Sequence, residues 1–438
     1  MRILLLLLVG AAASAQENVL LVLLDDVGVD MVGCYGEGEI PAKTPVIDAL
    51  ARDGVLFRNA WSNPCCSPTR ATILTGRYAF RTGIGFVVSK SGFDLPMEEL
   101  LLPEVFAGTS HSSAGFGKWH LANKVGGKHH SHPNKSGFDH WVGNYHNLKQ
   151  PQSYDWWMHT TNGVLVFTDE YATSKTVDDF LDWQQGQVGP WFAYLAFHAA
   201  HEPWHEPPAH LHTVSLPNVD PRFRPKPFYR ATIEAMDTEI GRLLGGLGSQ
   251  LANTNVIVLG DNGTPRQVCL PPFEETHAKL TPYEGGVNVP LVIFGPAVTE
   301  SGWECSALVN STDMFATSLE LAGYSLDQVL PTGHLHDSVS VVRYLADRTQ
   351  PPLRRWAFAE MWKPNGFGPK NLDQRILRGE RYKIIRSGVD SASHVFEMYD
   401  LEMDPFETVD LMLQIGGLTA GQQAHFDALK ATLDQLLL

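Results

Sequence analysis

Three short, unbroken apolar runs restrict what this chain can fold into. Asn18 to Leu24 is almost entirely Val and Leu and stops at Asp25-Asp26. Trp191 to Phe197 stops at a His-rich loop, and Val256 to Leu259 stops at Gly260-Asp261-Asn262. A strand with one wet face alternates apolar and polar residues, so a run without alternation reads as a strand buried on both faces. Helical patterns lie between these runs. Thr44-Pro45 opens one, with Thr44 as its cap, Val46, Ile47 and Leu50 on its apolar face and Gly54 at its end, and Val55 to Phe57 follows as a strand. Tyr229 to Leu244 sets Ile233, Met236, Ile240 and Leu243 along one face. Leu291 to Phe294 reads as a further strand, followed by a helix over Met314 to Leu321. Strands alternating with helices predict an α/β fold, a large mixed, mostly parallel sheet sandwiched by helices. Ligands of such sheets gather beyond the carboxyl ends of the strands, where Asp25-Asp26, the His loop and Asp261-Asn262 all fall.

At 438 residues the chain exceeds one ordinary domain. Pro351-Pro352 marks a break. Beyond it, strand-like pieces at Trp356 to Ala359, Tyr382 to Ile385 and Phe396 to Tyr399 precede a helix with Phe426, Leu429, Leu433 and Leu436 on one face. We therefore expect a main domain over 16–350 and a smaller C-terminal α+β domain over 351–438 with a short antiparallel sheet. Residues 1–15 read as a signal peptide: Arg2, the apolar run Ile3 to Val9, then the small-residue site Ala13-Ser14-Ala15. The expected destination is the periplasm or the exterior. No later stretch is long and apolar enough to span a bilayer.

The net charge of -15 weighs against nucleic acid and anionic lipid as partners. An anionic substrate would need a local cluster of Lys, Arg, His or metal. The five cysteines, Cys34, Cys65, Cys66, Cys269 and Cys305, leave at least one sulfur unpaired. A vicinal Cys65–Cys66 bridge is strained and uncommon, so one of that pair is expected to be free or modified. A Cys269–Cys305 bridge stays open. Asp25, Asp26, Asp261 and Asn262 offer oxygen alone, which favours Ca²⁺ or Mg²⁺ over zinc. His198, His201 and His205 make a competing zinc reading. The Gly/Lys/His-rich stretch with His129, His130 and His132 reads as a solvated loop.

Cys66-Ser67-Pro68-Thr69-Arg70 followed by Leu74-Thr75-Gly76-Arg77 resembles the sulfatase signature, C-x-P-x-R with an L-T-G-R element. The resemblance continues in Gly117-Lys118-Trp119-His120-Leu121, in His201 before Pro203 and Pro207, in Lys279 ahead of Tyr283-Glu284-Gly285-Gly286, and in the early Asp-Asp and late Asp-Asn-Gly. Thr44 to Phe57 and Tyr399-Asp400-Leu401 with Asp404-Pro405 and Glu407 extend it, from about residue 18 to about residue 411. Arg77-Tyr78 and Arg81-Thr82-Gly83 look closest to the arylsulfatase B-like branch, within the alkaline-phosphatase-like superfamily.

This resemblance implies that Cys66 is converted to formylglycine by a dedicated maturation enzyme. It implies that Arg70 sits in the site, that Lys118 and Lys279 bind sulfate, that His120 contacts the aldehyde hydrate, and that His201 protonates the leaving oxygen. It assigns one Ca²⁺ to Asp25, Asp26, Asp261 and Asn262, and a sulfated small molecule or glycan as substrate. Two rivals differ in kind: a phosphonate or phosphate ester hydrolase of the same superfamily, and a sulfated-glycan-binding protein in which Cys66 is never matured. A two-zinc phosphatase fits less well, because Cys66 stands where Ser or Thr is expected.

Overall fold

The computed structural model describes residues 16–89, 92–390 and 392–438, so the expected signal peptide lies outside the described residues. Ten strands form the main sheet: β1 (Asn18–Leu24), β2 (Val55–Trp61), β3 (Ser112–Lys118), β4 (His140–Asn144), β5 (Trp157–Thr161), β6 (Val164–Thr168), β7 (Trp191–Ala196), β8 (Thr254–Gly260), β9 (Leu291–Phe294) and β10 (Trp303–Asn310). Their spatial order is β10-β2-β9-β8-β1-β7-β3-β4-β5-β6. From β8 through β1, β7 and β3 to β4 every pairing is parallel, and the antiparallel pairings involve β9 on one side and the β5–β6 hairpin on the other. The sheet is mixed, with a parallel centre, as expected.

The reading of β1 as buried on both faces holds, since all seven of its residues are buried. Leu20, Val22 and Leu24 enter one core and Val19, Leu21 and Leu23 the other. Successive side chains point to opposite faces, so each face needs its own helical cover. On the first face lie α1 (Pro45–Asp53), α3 (Ala172–Gln185) and α4 (Pro225–Leu247), through Ile47, Phe180 and Met236 among others. On the second lie α2 (Cys66–Thr75) and α6 (Asp313–Leu321), through Ile73, Leu74 and Phe315.

The cap of α1 differs from expectation. The Thr44 hydroxyl turns to the Gly33 amide and the Asp48 carboxylate. The free amides of Val46 and Ile47 are taken instead by Asp237 of α4, at 3.0 and 2.9 Å. A carboxylate from a neighbouring helix thus replaces the local cap and ties two helices of one layer together.

Four further strands, β11 (Ala357–Lys363), β12 (Leu372–Arg378), β13 (Tyr382–Ser387) and β14 (Val395–Asp400), form an antiparallel sheet in that order. One face packs on α7 (Ala420–Leu436) through Phe426 and Leu433. The other packs on Trp61 of β2 and on Val287 of the short helix α5 (Glu284–Val287). Lys383 of β13 is wholly buried at this junction, 3.1 Å from Glu284 and 2.6 Å from Glu407, under the Trp61 ring. Arg378 reaches Glu284 at 3.0 Å. All five cysteines are unbridged, so the Cys269–Cys305 pairing does not form.

Candidate active site

The four central parallel strands end almost level. Leu24 of β1 pairs with Gly260 of β8, and Ala196 of β7 pairs with Leu23 on one side and Gly117 of β3 on the other. Each chain then leaves the sheet carrying a polar cluster: Asp25-Asp26 from β1, His198 and His201 from β7, Asp261-Asn262 from β8, and Lys118 and His120 from β3. Backbone bonds hold these exits together, Asp261 N to Leu24 O at 3.0 Å and Asp25 N to Ala199 O at 3.0 Å. Gly117 is required at its exit: its φ is +88°, and a Cβ there would sit 2.0 Å from the Ala196 carbonyl oxygen. Gly263 is required for a second reason. A Cβ would fall 1.8 Å from the Gly285 oxygen, so the turn after Asp261-Asn262 lies directly against the turn that follows Lys279.

Cys66 is the first residue of α2 and is 1% exposed. Its Sγ lies 3.6 Å from Asp25 Oδ1, 3.7 Å from Asp26 Oδ1, and 3.7 Å from the amines of both Lys118 and Lys279. Burial, with Asp261 alongside, pushes the thiol well up, so an unmodified Cys66 here is neutral. One turn on, Arg70 is fully buried and grips Asp261 Oδ2 through Nε and Nη2 at 3.1 and 2.8 Å, while Nη1 donates to the Lys118 carbonyl at 2.7 Å. Lys118 pairs with Asp25, and Lys279 with Asp26 at 2.5 Å. Asp26 shows how the balance runs. Burial raises its carboxyl, but Lys279, His201 and Lys118 together outweigh that and hold it below the usual carboxylate range.

The expected metal ligands converge. Oxygens of Asp25, Asp26 and Asp261 and the sulfur of Cys66 all lie within 4.8 Å of one another, and all are buried. Asn262 donates its amide NH₂ to Asp26 at 2.9 Å and to Gly263 O, while its Oδ1 is buried without a hydrogen-bond partner. Three carboxylates and an orphaned amide oxygen are the donor set of a hard cation. The residues therefore fit a metal.

The zinc reading fails on geometry. His205 spends both ring nitrogens elsewhere, on the Tyr171 hydroxyl at 3.0 Å and the Pro203 carbonyl at 3.1 Å, and it stacks on Tyr154. His198 is buried against Trp157, and burial keeps its imidazole neutral. His201 is different. Its Nδ1 lies 2.6 Å from the Glu202 carbonyl, which can only accept, so Nδ1 carries hydrogen and Nε2 faces the Asp26 carboxylate 3.8 Å away. Burial drives this imidazole, and that of His120, well below the ordinary histidine range. His120 Nδ1 is buried with no hydrogen-bond partner, while its carbonyl accepts from Ser67 Oγ at 2.7 Å, next to the Cys66 backbone.

The stretch read as a solvated loop is ordered instead. His129 and His132 are buried, His129 against Tyr145 and His132 against Trp119. Their neighbours are aromatic residues of other segments, which local composition does not reveal.

Two open chambers flank this centre. One, of about 570 Å³, is lined by Asp26, His201, Glu202, Glu275 and Lys279. The other, of about 410 Å³, runs from His120 to Trp156 and Phe167. No local sequence pattern marks the second. Its residues come from separate loops and the β5–β6 hairpin, with no motif to join them.

A buried sulfur beside two lysines and an arginine, backed by an oxygen-rich cluster that could hold a cation at the carboxyl edge of a parallel sheet, is an arrangement suited to an anion. Known proteins make the family plain. The profile of the Sulfatase family matches residues 17–324, and the chain belongs to that family. N-acetylgalactosamine-6-sulfatase of Sus scrofa is 32% identical over 349 residues, covering 71% of this chain and 63% of that protein, so the chain spans a little under two thirds of that relative. Ulvan-active sulfatase of Formosa agariphila is 27% identical over 419 residues, covering 91% of this chain and 77% of that protein. Among solved structures, Ps i-CgsB in complex with k-i-k-neocarrahexaose superimposes with a TM-score of 0.77 at 23% identity, covering 96% of this chain and 92% of that one, a likeness of fold.

Proposed function

We propose that this protein hydrolyses a sulfate monoester of a carbohydrate to the alcohol and inorganic sulfate, with S–O cleavage. The observation that carries the reading is Cys66 Sγ set 3.7 Å from each of the Lys118 and Lys279 amines, with the sulfur and Lys118 fully buried and Lys279 reaching in from the wall of an open chamber. The names of its relatives, which act on N-acetylgalactosamine 6-sulfate and on ulvan, support a carbohydrate. The neutral, buried thiol is a poor nucleophile as it stands. Oxidised to formylglycine by a maturation enzyme and hydrated, the same position carries two hydroxyls on one carbon. One hydroxyl attacks sulfur as the S–O bond to the sugar breaks. The other then loses its proton, the carbonyl re-forms, sulfate departs with the oxygen that attacked, and water adds to the carbonyl to restore the hydrate.

Lys118, Lys279 and Arg70 offset the charge of the sulfuryl group in a dry site. His201, neutral with its hydrogen on Nδ1 in the free site, takes a second proton on Nε2 as the anionic sulfate ester enters beside it and gives that proton to the departing sugar oxygen, and His120 takes the proton of the second hydroxyl. Asp25, Asp26, Asp261 and Asn262 would hold one Ca²⁺, which when bound polarises the sulfate and favours ionisation of the attacking hydroxyl. We also infer export, from residues 1–15; no helix of the described residues is long and apolar enough to cross a membrane.

The test is mass spectrometry of the peptide spanning residues 61–70 from protein made with a maturation system, alongside sulfate release. Conversion at Cys66 and loss of turnover in Cys66→Ala are expected. Conversion at Cys65, or full activity in Cys66→Ala, refutes the assignment. Faster turnover of a matched phosphate or phosphonate ester would favour the rival hydrolase.

A further inference from the structure

The chamber beyond His120 has a chemistry that the hydrolytic step leaves unused. Lys124 and Lys149 line it, both exposed, and neither pairs with a carboxylate among the described residues. Among the described residues, not one that lines it is acidic. In a chain with 48 acidic residues against 33 Lys and Arg, that is a local reversal of sign. The opposite chamber keeps three acids, Asp26, Glu202 and Glu275, in its wall. Lys124 is held over the Tyr145 ring at 5.3 Å, which positions its ammonium without neutralising it.

The far wall is aromatic. Trp156 is 45% exposed and Phe167 is 47% exposed, and their rings meet edge to face at 4.5 Å. Phe167 lies on the edge strand β6, so the indole is braced from the sheet and presents a wet apolar face at little cost in side-chain freedom. Sugar rings carry an apolar C–H face and a polar rim, and an indole stacks on the first while amides bind the second. An amide stands ready: Asn147 Oδ1 is shielded in this wall with no hydrogen-bond partner.

Resting on the sulfatase reading, we infer that the substrate is a polyanionic oligosaccharide: the sugar beside the one carrying the scissile sulfate stacks on Trp156, and its own anionic group, a carboxylate or a second sulfate, is bound by Lys124 and Lys149. The lining sorts substrates by what is attached next to the reacting residue. A cation pair flanked by an aromatic platform rewards a charged ring and leaves a neutral one with stacking alone.

The experiment uses matured full-length protein: wild type, the double variant Lys124→Gln with Lys149→Gln, and Trp156→Ala. Each is assayed on nitrophenyl sulfate and on three sulfated disaccharides whose second sugar is a uronate, a sulfated sugar or a neutral sugar. The quantity read is kcat/KM for each disaccharide relative to nitrophenyl sulfate. Wild type is expected to prefer the anionic disaccharides, and 1 M salt to narrow that preference. The double variant should lose about tenfold of the preference for anionic over neutral second sugars, mostly in KM. Trp156→Ala should lower all three disaccharides about tenfold relative to nitrophenyl sulfate. The uronate and second-sulfate arms show which anion is preferred, and a preference for either supports the inference. An active wild type that does not discriminate, or a double variant that keeps the full preference, overturns the inference alone. A wild type that releases sulfate from none of the substrates overturns the proposed reaction and this inference with it.

Discussion

Replacing Lys383 by Met tests how the small sheet supports the main one. The substitution roughly keeps the length of the side chain and removes its charge. In the wild type the ammonium sits between Glu284 and Glu407, at 3.1 and 2.6 Å, with no solvent access. Glu407 also accepts the Glu284 backbone N–H at 2.5 Å, so the two carboxyl groups are fixed neighbours. Without Lys383, only Arg378 is left to offset two buried carboxylates. Breaking a buried pair from one side typically costs about 3–5 kcal/mol. At roughly 2 cal/mol/K of unfolding entropy per residue, a chain of this size melting as one unit has about 0.9 kcal/mol/K, so the expected drop in Tm is about 3–6 °C.

The pH dependence follows from Glu407. Burial lifts its carboxyl to about 7, with Lys383 pulling down and Glu284 pushing up. The unfolded chain ionises this group near 4.5, so folding loses stability as pH rises from about 4.5 to 7. Removing Lys383 carries the folded value higher and extends that loss to higher pH. The gap between wild type and variant should therefore be smaller near pH 5, where ionised Glu284 alone loses its lysine, than near pH 8, where Glu407 loses it as well. Adding Glu407→Gln to Lys383→Met should recover most of the lost stability, as in a double-mutant cycle. A single variant within about 0.5 kcal/mol of wild type at pH 8 refutes the reasoning. So does a double variant no more stable than the single one.

Other expectations concern the reacting groups. His201→Ala should cut turnover of a sugar or alkyl sulfate by about 10²–10⁴-fold and that of nitrophenyl sulfate far less, because a phenolate leaves without a proton. Equal losses on both would remove His201 from the acid role. His120→Ala should instead slow both substrates alike wherever sulfate release limits turnover. Asp261→Ala should abolish Ca²⁺ binding in a metal analysis and leave Arg70 without its two-point partner. A chelator should lower the Tm of wild type and not of this variant, and zinc found at the His loop would contradict the ligand assignment.

The parts of this architecture that announce themselves in sequence are those whose environment is symmetrical. β1, β7 and β8 are buried on both faces, so their own composition reports it. β3, Ser-Ser-Ala-Gly-Phe-Gly-Lys, is just as central yet escapes the sequence analysis, because space there is filled by neighbours: a Cβ on Gly115 would collide with Trp141. β12, with Asp373, Gln374 and Arg375 at its start, hides for the opposite reason. Arg375 is buried, paired with Glu360 and Asp373 and lying over the Trp362 ring. Every predicted site residue falls at the one centre, because a reaction constrains residue types over short stretches such as Cys66 to Arg70. The Trp156 chamber, the Asp237 cap and the Lys383 junction are assembled from distant segments, and no local pattern encodes them.

The depth of Cys66 also sets an order of events in the life of the chain. Its sulfur is sealed by residues delivered from five separate stretches, the last of them carrying Lys279. A modifying enzyme has no path to a side chain that is 1% exposed at the floor of a finished sheet. Roughly two hundred further residues must be synthesised after Cys66 before the last wall can arrive, which at cellular rates takes about 10–40 s. The non-sequential strand order, with β1 seated between β7 and β8, keeps the pocket from closing sooner. If Cys66 is matured as proposed, this topology leaves its side chain open to the maturation enzyme during early biogenesis and covers it once the sheet is complete.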